Sequence, residues 1–280
     1  MEYRITGAMM DAFQQTMKEQ EKSAATRAKY VHDVRNFFTY LGESKIVTKE
    51  IVIHYKQHLA ERYAKTSANS MLAALNYFFS VVGWLDCKVR AFKIQRETFR
   101  AKERNLTKNE YFRLLEAAKR QKNERLYLLM QTICSTGIRV SELQFITVEA
   151  LKTRQAVVSL KGKTRIVLLP QKLCKELSKY VKKRGIVRGS IFITRSGRSM
   201  DRSNILHEMK ALCAAADVER KKVFPHNLRH LFAVTFYQKE QDLCHLADIL
   251  GHSNINTTRI YTLISCEEQE KRLEQLGLVS

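Results

Sequence analysis

The 280-residue chain contains only two prolines, ten glycines and one tryptophan. So few chain breakers leave room for long helices, and an apolar fraction of 45% suits folded protein rather than a disordered chain. No run of 18 apolar residues occurs, and the opening MEYRITGAMMDAF lacks the basic start and apolar block of a secretion signal, so no membrane partner is expected. Six cysteines stand singly at 87, 134, 174, 213, 244 and 266, which argues against a disulfide framework and against a Cys-x-x-Cys metal site. Most read as small apolar residues within helices, which suits a reducing cytoplasm. Acidic residues are scarce: 28 Asp and Glu face 49 Lys and Arg, a formal charge of +21. The excess is +7 over residues 1–104 and +14 over the remainder, so it is not an isolated basic tail. Such a field favours a polyanion touched by both halves, DNA or RNA, over the blander alternative of solubility alone.

The length allows two domains, each with its own core. In AATRAKYVHDVRNFFTYLG, Tyr30, Val31, Val34, Phe37, Phe38 and Leu41 recur at helical spacing and Gly42 is placed to end the helix. Thr48 opens the next helix, and TSANSMLAALNYFFSVVG closes a four-helix group at Gly83. His32, His54 and His58 lie within it without metal-ligand partners. The segment KVRAFKIQRETFRAKER, residues 88–104, carries seven basic and two acidic residues and no long apolar period. It reads as a tether against a phosphate backbone, with a solvated helix face as the alternative. The expected organisation is a helical module over residues 1–93, a basic linker over 94–104 and a second module over 105–280. In the second module, Thr107 and Glu110 form a capping box, and AVVSL and RIVLLP flank KGKT as a hairpin. SIFIT offers a further strand, and SNILHEMKALCAAA, HNLRHLFAVTFYQ and DLCHLADILG resume the helical pattern. The expected fold class is mainly α with a small antiparallel β-sheet, in two domains.

Several polar residues stand out. In TGIRVSEL, Arg139 and Glu142 are spaced for contact on one face, which on this segment alone reads as a surface ion pair before it reads as a site. In LKGKTRI, Lys161 and Lys163 flank Gly162; a turn can present a lysine as a proton donor, and turns also collect lysines for solubility. In PHNLRH, His226, Arg229 and His230 fall at i, i+3 and i+4, leaving Leu228, Leu231 and Phe232 for the core. Arginine grips two anion oxygens at once and a neutral histidine can take or give a proton, so the trio suits an anion. A zinc site is disfavoured, because the Glu of HExxH is absent and Arg229 lies between the imidazoles. His252 and, nine residues later, Tyr261 complete the set in LGHSNINTTRIYT.

The order of TGIRVSEL, the lysine hairpin, PHNLRH and LGHSNINTTRIYT closely resembles the tyrosine recombinases, or phage integrase family, of the Xer-like kind. The resemblance implies a helical DNA-clamping core-binding domain, a linker and an α+β catalytic domain. It also implies DNA strand transesterification without metal or other cofactor. By position, Arg139 and Arg229 would hold the scissile phosphate and Lys161, or alternatively Lys163, would protonate the leaving 5′ oxygen. His226 would be the proton-transfer partner of the nucleophile, His252 a phosphate donor and Tyr261 the nucleophile. Glu142 and His230 would support them. FYQKEQDL departs from the pattern by lacking the glycine many relatives carry there. The implied enzyme is a site-specific recombinase forming a 3′-phosphotyrosine, of the integrase or excisionase type of a mobile element. Its partners would be double-stranded DNA and further copies in a tetrameric synapse, with room for an accessory directionality factor, in the cytoplasm at the nucleoid. The final stretch, with Leu273 and Leu276 on a short helix, is expected to dock on a neighbouring protomer rather than on its own domain. The competing readings are a type IB topoisomerase and a noncatalytic DNA-binding protein of the same fold.

Overall fold

The computed structural model describes residues 1–94, 105–160, 162–262 and 274–275. The chain divides into two compact units, Met1–Arg96 and Glu97–Ser280.

The first unit is helical. A two-residue strand β1 (Tyr3–Arg4) pairs antiparallel with β2 (Ile46–Val47). Around this clasp lie α1 (Gly7–Glu19), α2 (Ala24–Leu41), α3 (Lys49–Arg62) and α4 (Lys65–Val81). The Ser23 hydroxyl accepts from the Thr26 N–H at the start of α2, and Gly42 ends that helix at φ +63°. Thr48 opens α3 by accepting from the Ile51 N–H. Helical spacing turns Phe13, Phe37, Phe78 and Phe79 inward, where all four are fully buried. Each such side chain contributes roughly 1.5–3 kcal/mol by leaving water. Trp84 seals one end by stacking on Tyr3 at 4.7 Å. His32 faces Asn36 and His58 packs on Tyr40, so both have ordinary partners.

The second unit begins with α5 (Lys108–Arg120), where both bonds of the Thr107–Glu110 capping box form. It continues through α6 (Glu124–Thr136), a 3-10 turn (Val140–Phe145) and α7 (Val148–Thr153) to β3 (Gln155–Leu160) and β4 (Lys163–Leu168). These strands pair antiparallel from Gln155↔Leu168 to Leu160↔Lys163, leaving a two-residue turn with Gly162 at φ +72°. Then come α8 (Gln171–Arg184), α9 (Arg202–Ala211), α10 (Cys213–Ala216), α11 (Pro225–Glu240), α12 (Leu243–Leu250) and two 3-10 turns, Ile255–Thr257 and Arg259–Tyr261. Helix α6, buried along most of its length, packs against α5, α8 and α11.

Two details differ from the pattern in the sequence. SIFIT makes no strand: Ile191 and Phe192 are both buried, which breaks the two-residue alternation, and the chain folds back through Thr194 N–H to Arg198 O and Met200 N–H to Phe192 O. The run SNILHEMKALCAAA is two helices that break at Leu212. Most of the basic linker, Leu273 and Leu276 lie outside the described residues.

Candidate active site

Three helices meet at Gly137. This residue ends α6 in the left-handed conformation, and a Cβ here would come within 2.5 Å of Phe232 on α11 and 2.9 Å of Leu250 on α12. Only glycine permits both the turn and the approach. Past the turn, Arg139 stands at the start of the 3-10 segment, where its backbone N–H and Nη1 both donate to Glu142, at 2.9 and 3.0 Å. Its side chain remains 40% exposed, and Nη2 reaches Gly251 O at 3.3 Å.

Arg229, on the buried face of α11, is 3% exposed. Nη1 donates to Gly137 O, and Nη2 to Leu250 O at 2.8 Å and to His252 Nε2 at 2.9 Å. Burial, then the Arg139 charge, brings its pKa down to about 10, which leaves it cationic at neutral pH. Arg139, Arg229 and His226 line one cavity of about 520 Å³, together with Ser141, Arg202 and Lys210.

His252 follows Gly251, the left-handed cap of α12. Burial and the neighbouring Arg229, Arg139 and Arg165 charges push its imidazole down to about 4, so the ring is neutral at pH 7. Tyr261, 4% exposed, lies with its ring centre 5.2 Å from His230 and 6.3 Å from His252, stacked on the latter at 14°. Its other side packs into an apolar cluster with Ala233, Leu246 and Leu250.

Thus Arg139, Glu142, His226, Arg229, His230, His252 and Tyr261 all gather in one unit of one chain. Lys161 lies outside the described residues, and Lys163 begins β4 with its backbone paired to Leu160. Among the described residues no group of three His, Cys, Asp or Glu is disposed to hold a metal ion.

Two participants went unnoticed in the motifs. Arg165 on β4 donates to Glu142 Oε2 at 2.7 Å and to Ile249 O at 2.6 Å. A side chain on Gly251 would strike its Cδ at 2.5 Å. Burial raises the Glu142 pKa, but the Arg139 N–H, the Arg165 charge and the Arg139 guanidinium outweigh it, and the carboxyl titrates below its ordinary range. The signal for Arg165 lay in the strand period: 165, 167 and 169 share the inner face, and a charge among two apolar positions demands a partner. The second is Thr258, fully buried, whose Oγ1 is 2.9 Å from His252 Nδ1.

Comparison with known proteins agrees with this architecture. Residues 104–268 match the family described as the Phage integrase family, and residues 10–84 match Phage integrase, N-terminal SAM-like domain. Tyrosine recombinase XerA of Thermococcus kodakarensis is 27% identical over 97% of this chain and 96% of its own. Tyrosine recombinase XerC of Thermodesulfovibrio yellowstonii is 28% identical over 86% of each. The crystal structure of XerA recombinase superposes with a TM-score of 0.54 at 26% identity, covering 97% of this chain and 98% of that one. A structure of the Tn1549 transposon integrase with transposon right end DNA gives 0.72 at 16%, over 97% and 99%. A lambda integrase tetramer bound to a Holliday junction gives 0.72 at 16%, over 91% and 76%. The chain belongs to the phage integrase family and is a site-specific tyrosine recombinase of the Xer type.

Proposed function

We propose that the protein breaks and rejoins double-stranded DNA through an ester between the Tyr261 oxygen and a 3′ phosphate. The phenolic oxygen attacks phosphorus, an O–P bond forms, and the bond from phosphorus to the 5′ oxygen breaks. His226 receives the phenol proton. Lys161, or Lys163 from the other side of the turn, gives a proton to the departing 5′ oxygen. Arg139 and Arg229 grip the non-bridging oxygens and His252 adds a hydrogen bond. The ester conserves the energy of the broken linkage, so a 5′ hydroxyl from a second duplex can complete strand exchange without a nucleotide cofactor.

The observation that supports this most is the seating of Tyr261 beside two of the site's histidines, in the same chain as the paired arginines. Charge balance points the same way. Arg139, Arg165 and Arg229 surround the single carboxylate of Glu142. The surplus of two positive charges matches the two negative charges a phosphodiester carries once it becomes pentacovalent, one more than in the ground state. A preorganised donor of this kind is worth roughly 3–4 kcal/mol in the barrier.

The test is a nicked duplex built from DNA flanking the protein's own gene, which should trap a covalent adduct that Tyr261→Phe abolishes while DNA binding persists. Adduct formed by that variant would refute the proposal. Two duplexes offered together should give joined products, and relaxation alone would instead favour topoisomerase chemistry. We further propose a tetrameric synapse at the nucleoid, on the analogy of the lambda integrase assembly, with an accessory factor setting direction. Integration and excision of a mobile element is the reading supported by likeness to the transposon integrase. A second reading is the resolution of joined chromosomes. Detection of an excised circle in cells supports the first, and chromosome dimers accumulating on deletion of the gene support the second.

A further inference from the structure

His252 is held from both sides. Nε2 lies 2.9 Å from Nη2 of Arg229 and Nδ1 lies 2.9 Å from Oγ1 of Thr258. A guanidinium only donates, so Nε2 must accept, and the one proton of the neutral ring therefore sits on Nδ1 and is donated to Thr258. In that tautomer Nε2 has no proton to offer a phosphate. A hydroxyl is the group that can serve Nδ1 in either tautomer, accepting from Nδ1–H or, after rotating its own hydrogen, donating to a bare Nδ1.

Thr258 is fixed well enough to do so. It is fully buried, its N–H donates to Ile255 O at 2.8 Å, and its carbonyl accepts from the Tyr261 N–H at 3.0 Å. Its β-branched side chain has little rotational freedom. One residue therefore supports the histidine through its side chain and closes the turn that carries the tyrosine through its backbone.

We propose that Thr258 is a positioning residue that allows His252 to exchange tautomers, so that Nε2 carries the proton when a phosphate oxygen replaces Arg229 beside it. The ring keeps one proton throughout: Nδ1 gives one up to solvent and Nε2 takes one from solvent, and the Thr258 hydroxyl turns from acceptor to donor. Exchange rather than protonation is needed because Arg229, Arg139, Arg165 and His226 all disfavour an imidazolium here. This rests on the reading of His252 as a phosphate donor.

Nitrogen NMR on histidine-labelled protein, with the His252→Gln variant for assignment, should show Nδ1–H in the free protein and a neutral ring with Nε2–H once orthovanadate is bound. An imidazolium, or an unchanged tautomer, in the vanadate complex overturns the proposal. In single-turnover cleavage, Thr258→Val should slow the step about tenfold at unchanged DNA affinity, the size of one lost hydrogen bond, with Thr258→Ser restoring it. Combined with His252→Gln, Thr258→Val should cost nothing further. An equal loss in that background would mean that Thr258 acts only through the tyrosine turn, which also overturns the proposal. If His252→Gln alone cleaves at the normal rate, the phosphate-donor reading itself fails. The NMR result stands even if Thr258→Val folds poorly.

Discussion

The two units bury different things. In Met1–Arg96 the interior is apolar and rich in rings, with Phe13, Phe37, Phe78 and Phe79 at its centre. Among its described residues the buried charge is Asp33, paired one helical turn away with Lys29. In Glu97–Ser280 the interior contains Glu142, Arg229, His230 and Thr258. A chain gains stability by burying phenylalanine and loses it by burying guanidinium unless every donor is met. Charge is thus buried where three helices converge on Gly137, and there each charged group has a named partner. The first interior is what folding alone favours, and the second is shaped by a chemical task.

That contrast can be broken by mutation. The largest effect is expected for Glu142→Ala, which strands Arg165 in the interior and should cost about 3–5 kcal/mol in urea unfolding. Loss below about 1 kcal/mol would mean that the network is not coupled to folding. Phe79→Ala should cost a similar 3–5 kcal/mol, yet leave the rate of adduct formation on saturating DNA within about twofold, because it removes packing and no charge. Gly137→Ala should cost about 2–4 kcal/mol from left-handed strain and the collision with Phe232, read as a fall in Tm.

The pH dependence sharpens the comparison further. His252 titrates at about 4 in the folded state against an ordinary 6.5, so the unfolded chain takes up the proton first, and stability should fall as pH drops from about 6.5 towards 4. Glu142, depressed in the folded state, adds a second loss further into acid as it is protonated. His252→Gln should flatten the first of these windows in urea midpoints measured across pH; an unchanged slope would place the ring's titration elsewhere. The smallest effect is expected for Lys29→Ala: its partner Asp33 is buried, but Lys29 itself is half exposed, so water can take the ammonium's place and the loss should be about 1 kcal/mol.

What the sequence made legible was local. The capping box at Thr107, the stop at Gly42, the hairpin about Gly162 and the clustering of His226, Arg229 and His230 depend on neighbours within a few residues, where spacing alone determines who meets whom. Arg165 was hidden because its acceptors are 23 and 84 positions away along the chain. Thr258 was hidden for a different reason. It sits in a polar stretch that reads as a turn, and its burial depends on the packing of α11 and α12 rather than on any local pattern. SIFIT misled because β-branched composition favours extended backbone without saying whether another strand lies alongside.

Arg165 grips Glu142 and Ile249 from the middle of β4, so the hairpin is bolted at its waist. Inserting residues between Leu160 and Lys163 would shift the turn's lysines while leaving that anchorage in place. On the role proposed for Lys161 or Lys163, turn length would therefore govern proton delivery separately from the arginines and histidines, whose footing lies deeper in the fold.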